Sequence, residues 1–367
     1  MPITLSLYIA RQFAAAVAVM LGGLSMLVML FDFIELLRRA ATHPEVSFAL
    51  VTSIALLRLP YYSLLIMPFA VLLGGIVAFW RLTRSSELIV ARASGVSAWQ
   101  FLTAPVLVAV LLGVTATAGV SPLSSMMLAK ADQLDNINIR KTGPLALSGG
   151  QLWLRQADTQ LDPEGVAILH GWHVAFNKKI VTIDDVSVFR LDGHDKLLSR
   201  VEASQARLAK GAWRLTGARS IKPDHLPENI GEMELPTELT EARMQESFQS
   251  PDALSVWQLP RFIVLLEKAG FSSVRHRLHF QSLLALPLLC GTMALVAAGF
   301  SMRQTRRGGV AQMIGSGVAA GFLLFTVSKV AEQIGQSGAL PSLLAAWAPA
   351  AAGLMLAMSL LLHLEDG

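Results

Sequence analysis

Cysteine is all but missing from this chain. Its 367 residues include one, Cys290, so no internal disulfide can form and no cysteine-based metal site is open to it. Charge is scarce too. Asp, Glu, Lys and Arg make up 15% of the residues, against about 25% in an ordinary soluble domain. That is too few to wet the surface of a globule this size. No GxxxxGK(S/T) run occurs, and the eight His are scattered with no HExxH and no GxSxG. Nucleotide cradling, zinc hydrolysis and serine acyl transfer therefore lack a basis in the residues. A formal charge of +4 is too small to argue for nucleic acid. Nothing points to an enzyme or to a resident cofactor.

What abounds is apolar: 53% of the residues, with a mean hydropathy of +0.52. These residues sit in long uncharged runs, so the chain reads as an integral membrane protein. A helix needs roughly 20 apolar residues to cross a bilayer. Six runs qualify: 13–31, 59–80, 101–120, 280–302, 308–328 and 342–362. The first is longer than a secretion signal's core and leads into Phe31-Asp32-Phe33-Ile34-Glu35, so it reads as a retained span.

Between spans three and four the composition changes. Residues 123–256 hold 15 basic against 18 acidic side chains. Short alternating runs appear at Gln151-Leu-Trp-Leu-Arg155, Lys179-Ile-Val-Thr-Ile183, Val186-Ser-Val-Phe-Arg-Leu191 and Ala212-Trp-Arg-Leu-Thr216. Turn-forming residues bound each one, as expected of antiparallel strands. Ser255-Val-Trp-Gln258 then matches a capping box ahead of a short amphipathic helix. The predicted architecture is a six-helix membrane bundle split three and three by an all-β insert. Its parts are 1–122, 123–258 and 259–367.

With the N-terminus inside, the inward loops carry Arg81, Arg84, Arg92, Arg303, Arg306 and Arg307, while the short outward loops carry Arg38, Arg39, Arg58 and Lys329. The positive-inside rule favours this orientation, though only weakly once the span flanks are counted. Cations at outer span ends oppose the usual bias and call for an offset. A lipid with headgroup phosphates would supply one. Snorkelling to ordinary headgroups is the simpler alternative.

His170-Gly-Trp-His173 and Asp184-Asp185 are the nearest approach to a polar constellation, and surface strand positions explain them more simply than a metal site does. One inward loop, Ser85 to Gly95, reads as a capped helix of its own over 86–94, with Glu87 as an anchor for a cytosolic partner. Span five carries Ala311, Gly315 and Ala319, with Gly317 and Gly321, at four-residue spacing. Such a face permits close helix approach, either as permanent packing or as a seam that opens.

Taken in order, several stretches resemble the transmembrane permease subunits of the lipopolysaccharide export (Lpt) system, of the paired F and G types. They are Leu7-Tyr-Ile-Ala-Arg11, Glu35-Leu-Leu-Arg-Arg-Ala40, Arg84-Ser-Ser-Glu-Leu-Ile-Val90 with Ala93-Ser-Gly95, Trp213-Arg-Leu215, Asp252-Ala-Leu-Ser255 and Leu266-Glu-Lys-Ala-Gly270. The last three favour the G type. The resemblance implies a β-jellyroll-like periplasmic domain and a place in the bacterial inner membrane. It implies an F-type partner permease, a cytosolic ABC ATPase dimer beneath, and a periplasmic bridge protein that receives lipopolysaccharide. Glu87, flanked by Arg84 and Arg92, would couple to the ATPase. Arg38 and Arg39, joined by Arg58 and Lys329, would hold lipid phosphate. Spans one and five would gate, which suits Gly315, Gly317 and Gly321. Asp32 departs from the family, which can carry Lys there, and is expected to repel phosphate. Two other readings stay open: a non-transporting scaffold whose β domain binds a periplasmic protein, and a secondary transporter. The second is disfavoured because the centres of the runs carry no charge.

Overall fold

A computed structural model describes residues 3–42, 45–85, 97–140, 151–158, 160, 165–177, 180–194, 196–209, 211–223, 226–237, 250–268, 272–301 and 310–365. The helices are α1 (Ile3–Ala40), α2 (Phe48–Arg84), α3 (Ala98–Thr115), α4 (Ser121–Asp135), α5 (Leu259–Lys268), α6 (Val274–Ser301), α7 (Val310–Gln336) and α8 (Ser342–Glu365). Among the described residues six helical stretches are long and apolar enough to cross a membrane, the third formed by α3 and α4 together. Ser47 and Ser97 start α2 and α3 as N-caps, accepting from the Leu50 and Gln100 amides.

The helix of the third span does not stop at Ser121-Pro122, where its apolar run ends. It continues through a π-turn (Ala116–Val120), α4 and a second π-turn (Asn136–Arg140). Pro122 lacks the N–H that the Ala118 carbonyl would receive in an unbroken helix. The Trp257 indole N–H donates to that carbonyl instead, at 3.1 Å. The same repair occurs one helix away. Pro287 orphans the Leu283 carbonyl of α6, and the Thr117 hydroxyl donates to it at 2.8 Å. Helix breakers survive in membrane spans when a neighbour replaces the lost donor.

The core of the bundle joins Ile9, Phe13 and Val17 of α1, Val71, Leu72 and Phe79 of α2, Leu102 and Ala109 of α3, Cys290 and Met293 of α6, and Ala357 of α8. Two glycines let backbones touch. A Cβ on Gly74 would lie 2.6 Å from the Val17 Cα, and one on Gly113 would lie 2.5 Å from the Pro287 Cα. The α7 helix packs on α2, α6 and α8. Gly317 and Gly321 both face α2, close to the Ile76 and Leu72 side chains, whereas Gly315 faces open space.

Six strands form the insert: β1 (Gln151–Ala157), β2 (Val166–Asn177), β3 (Ile180–Leu191), β4 (Leu197–Ala209), β5 (Ala212–Ile221) and β6 (Glu228–Pro236). They pair in sequence order as one antiparallel meander. Inward residues on β3 run Val181, Ile183, then Val186 and Val188; on β4, Val201, Ala203, then Ala206; on β5, Trp213, Leu215, then Ala218. Each strand takes one extra residue, and β2 shifts register beside them at His170 to Trp172. Stacked bulges of this kind crease a sheet across its strands. Left-handed backbone at Asp185 (φ 48°) and Gly217 (φ 69°) supplies the turns. Gly171 is required there too, since a Cβ on it would lie 2.2 Å from the Ile183 Cγ2. A buried Arg190–Asp158 ion pair, with a second contact of 2.8 Å from the guanidinium, ties the end of β1 to β3. The β3–β4 turn is closed by Asp192, whose carboxylate accepts from the Lys196 and His194 amides at 2.8 and 2.9 Å and is held below the usual carboxylate range by them.

Ahead of α5 the Gln258 amide oxygen accepts from the Ser255 backbone N–H at 3.1 Å, the reverse half of the capping box. Leu259, Phe262, Ile263 and Leu266 give α5 its buried stripe.

The backbone contacts predict a graded response to added methyl groups. Gly74→Ala and Gly113→Ala should each lower stability by about 1–3 kcal/mol, the usual cost of overpacking. Gly315→Ala should leave it unchanged or higher. Thermal unfolding of the detergent-solubilised chain checks this ordering.

Candidate functional site

The cations at the outer ends of spans one, two and five converge on carboxylates. On α1, Glu35 takes both arginines that follow it. The Arg38 guanidinium donates to it through two bonds of 2.7 and 2.8 Å, and Arg39 through one of 2.7 Å. Spacings of three and four residues place all three side chains on one helix face, where such pairs form readily. Arg38 is 73% exposed at its side chain, Arg39 about half as much.

Arg58 is different. It is 8% exposed and sits against α1, its Nη1 donating to Asp32 Oδ1 at 3.3 Å. The Tyr62 hydroxyl donates to the same oxygen at 2.7 Å. Tyr62 lies one turn beyond Arg58 on α2, so two donors from one helix close on one acceptor from the other. A turn or two further along the pair, the Ser25 and Ser63 hydroxyls meet at 3.0 Å. Low-dielectric surroundings strengthen each of these contacts and make a lone partner costly. Asp32 therefore does not stand as a bare negative charge. The repulsion of phosphate expected from the sequence is offset inside the helix pair.

Lys329 on α7 reaches Glu332 at 2.7 Å and lies 5.9 Å above the Phe325 ring. Near it, His279 of α6 approaches Asp252 at 3.3 Å. The structure thus groups Arg38 with Arg39 and joins Arg58 to Asp32, while Lys329 belongs to a separate cluster on α7. At the opposite end of α2 the Arg84 guanidinium lies 5.4 Å over the Trp80 ring. Glu87, Arg92 and the 86–94 helix lie outside the described residues, as do Arg303, Arg306 and Arg307.

Glu35, Asp32 and Tyr62 are the members of this site that charge counting alone does not assign. Glu35 carries a local signal in its three- and four-residue spacing to the arginines. The Asp32–Arg58 pair spans 26 positions and two helices, so no window of sequence reports it.

Breaking that pair from one side should cost about 3–5 kcal/mol, because it strands a buried charge. Asp32→Leu and Arg58→Leu should each destabilise the chain more than the Asp32→Leu/Arg58→Leu double variant does. A double-mutant cycle on thermal unfolding, read as the coupling term, checks this.

Residues 7–363 match the family described as lipopolysaccharide export system permease LptF/LptG. The chain is 24% identical over 356 residues to the lipopolysaccharide export system permease protein LptG of Haemophilus influenzae, covering 94% of each. It is 22% identical over 374 residues to the protein of the same name from Escherichia coli K12, covering 97% of each. The match runs through both halves of the bundle and the β insert between them, and the chain belongs to the LptF/LptG family of lipopolysaccharide export system permeases.

Proposed function

We propose that this chain is the G-type half of an ATP-driven exporter. It pairs with an F-type permease over a cytosolic ATPase dimer, takes lipopolysaccharide from the outer leaflet of the inner membrane, and passes it to a periplasmic bridge. The observation that carries the reading is the family match over nearly the whole chain, together with near-complete coverage of the two LptG proteins. The six spans and the inserted sheet supply the parts that such a half-transporter needs.

In this reading the cytosolic stroke enters through the loop after α2, with Glu87 as the anchor and Arg84 and Arg92 beside it. It moves the spans; Gly317 and Gly321 let α7 run close to α2, while Gly315 leaves a further small-residue position open on that helix. At the outer ends, Arg38 and Arg39 are the exchangeable phosphate ligands. A guanidinium donates to a phosphate the same two parallel bonds that Arg38 now makes to Glu35. Glu35 keeps the fork extended until a phosphate replaces it. Arg58 contributes indirectly by neutralising Asp32, and Lys329 adds a cation from α7.

The test is reconstitution with the F-type partner and the ATPase in proteoliposomes, followed by ATP-dependent transfer of lipopolysaccharide to a soluble bridge protein. Glu87→Lys should abolish transfer while the chain still inserts and folds. Normal transfer by that variant would remove Glu87 from the coupling path. If no ATPase copurifies from native membranes, the scaffold reading takes its place.

The phosphate ligands give a two-sided check. Arg38→Glu with Arg39→Glu should lower copurifying lipopolysaccharide by roughly tenfold or more, the scale of lost hydrogen bonds to a charged group. Glu35→Gln should raise it, because the guanidiniums lose their internal competitor. Phosphate analysis of the purified protein reads both, and equal lipid in all three proteins would exclude the clamp.

A further inference from the structure

Two polar motifs of the insert have no part in the reading above: His170-Gly171-Trp172-His173 and Asp184-Asp185. The sheet brings them together. Trp172 is the register partner of Asp184, and His170 that of Ser187, where β2 and β3 cross the crease. On the outer face the crease opens a shallow depression of about 370 Å³, lined by Trp172, Asp185, Ser187, Glu202, Ser204 and Arg219 among others.

Its chemistry is specific in kind. Trp172 is 44% exposed, while the other sheet tryptophan whose burial is described, Trp213, is fully buried in the core. The Trp172 ring is braced by His170, ring centroids 5.7 Å apart and nearly perpendicular. Asp185 is the one described non-glycine residue with positive φ, a conformation that needs support from its surroundings. Glu202 is held by Arg200 at 2.6 Å and faces Arg219 in the register. The Ser204 hydroxyl donates to the Thr216 carbonyl at 2.9 Å, which leaves its oxygen free to accept. No three His, Cys, Asp or Glu side chains gather to hold a metal, among the described residues.

We propose that this depression binds a saccharide. An indole face is negative and apolar, and the C–H face of a pyranose is weakly positive and apolar, so the two stack. Carboxylates at the rim accept from the ring hydroxyls, and Arg219 takes an acidic substituent through paired bonds. An acyl chain would find too few apolar walls here. A nucleic acid would meet more carboxylates than cations. The volume lies at the small end of ligand pockets, about 300–1,000 Å³, which suits a sugar ring with part of its neighbour. The inference rests on the export reading for the source of the sugar: the saccharide portion of lipopolysaccharide, met in the periplasm where this domain lies.

The experiment uses the full-length chain in nanodiscs and two lipid-free probes. One is the oligosaccharide released from lipopolysaccharide by mild acid; the other is a disaccharide fragment of cell-wall glycan. Saturation-transfer NMR should detect the first probe. Trp172→Ala and Glu202→Gln should each weaken it by roughly tenfold, about 1.4 kcal/mol. Trp172→Phe should retain most of the binding, and unfolding midpoints should match the parent. Undiminished binding by Trp172→Ala, or absence of binding by the parent, overturns the site. Equal or tighter binding of the cell-wall fragment overturns its assignment to the exported lipid. Should reconstituted transfer fail while Trp172-dependent binding persists, the export reading falls and the saccharide site stands.

Discussion

A backbone carbonyl inside a bilayer has no water to turn to, and the bundle is organised around that deprivation. Two of its prolines are tolerated because a neighbouring segment supplies the missing donor. Thr117 serves the carbonyl orphaned by Pro287, and Trp257 serves the one left by Pro122. The Thr117 bond requires the α3 and α6 backbones to run close together, which Gly113 permits, and Gly74 does the same for α1 and α2. Where backbone meets backbone, no side chain can rotate to absorb a displacement. The α7 helix makes another kind of contact. Its Gly317 and Gly321 lie against the terminal methyls of Ile76 and Leu72, which change rotamer at small cost. Where it meets α2, α7 is thus cushioned by rotatable side chains, while at its far end Gly335 abuts the Ala345 Cβ of α8.

Cations at the outer span ends work against the usual insertion bias, and the chain offsets them internally. Glu35 answers Arg38 and Arg39, Asp32 answers Arg58, and Glu332 answers Lys329. Arg58 with Asp32 and Lys329 with Glu332 are each close to neutral, whereas Arg38 and Arg39 share one carboxylate and keep a net positive charge. The positive-inside count treats every Lys and Arg alike, whereas the fold couples each of these to a carboxylate on the same or the adjoining helix.

The six spans were legible because bilayer thickness imposes a length on an uncharged run, and composition alone reports it. The continuation of the third span's helix beyond its apolar run was not, since its broken hydrogen bond is mended by Trp257, 139 positions away. In the insert, alternation exposed β1, β5 and both halves of β3. It divided β3 in two because Asp184-Asp185 carries the look of a turn, while in the sheet it is a bulge that lets Ile183 and Val186 both point inward. On β4 the inward positions Val201, Ala203 and Ala206 are small and out of phase across the same bulge. On β6 nearly every residue is exposed, so little apolar alternation exists to read. The cations of the candidate site were visible as charges; their partners were not, except for Glu35 at helical spacing.

Burial then separates the cations by what they can do. An exposed ion pair is worth little and its partners exchange, because water solvates either member once they part. In the proposed clamp Glu35 yields Arg38 and Arg39 to a phosphate, which offers more charge and more acceptor oxygens than a carboxylate. Arg58 cannot be surrendered on the same terms. Drawing it toward a ligand would leave Asp32 buried with a tyrosine hydroxyl as its main support, and an uncompensated charge in that setting is expensive. The residues that look interchangeable as a cluster of positive charge thus divide into exposed, exchangeable cations and a buried, fixed one. Nothing in the charge pattern distinguishes Arg58 from Arg38; the hydrogen bond from Tyr62 and the closeness of α1 to α2 do.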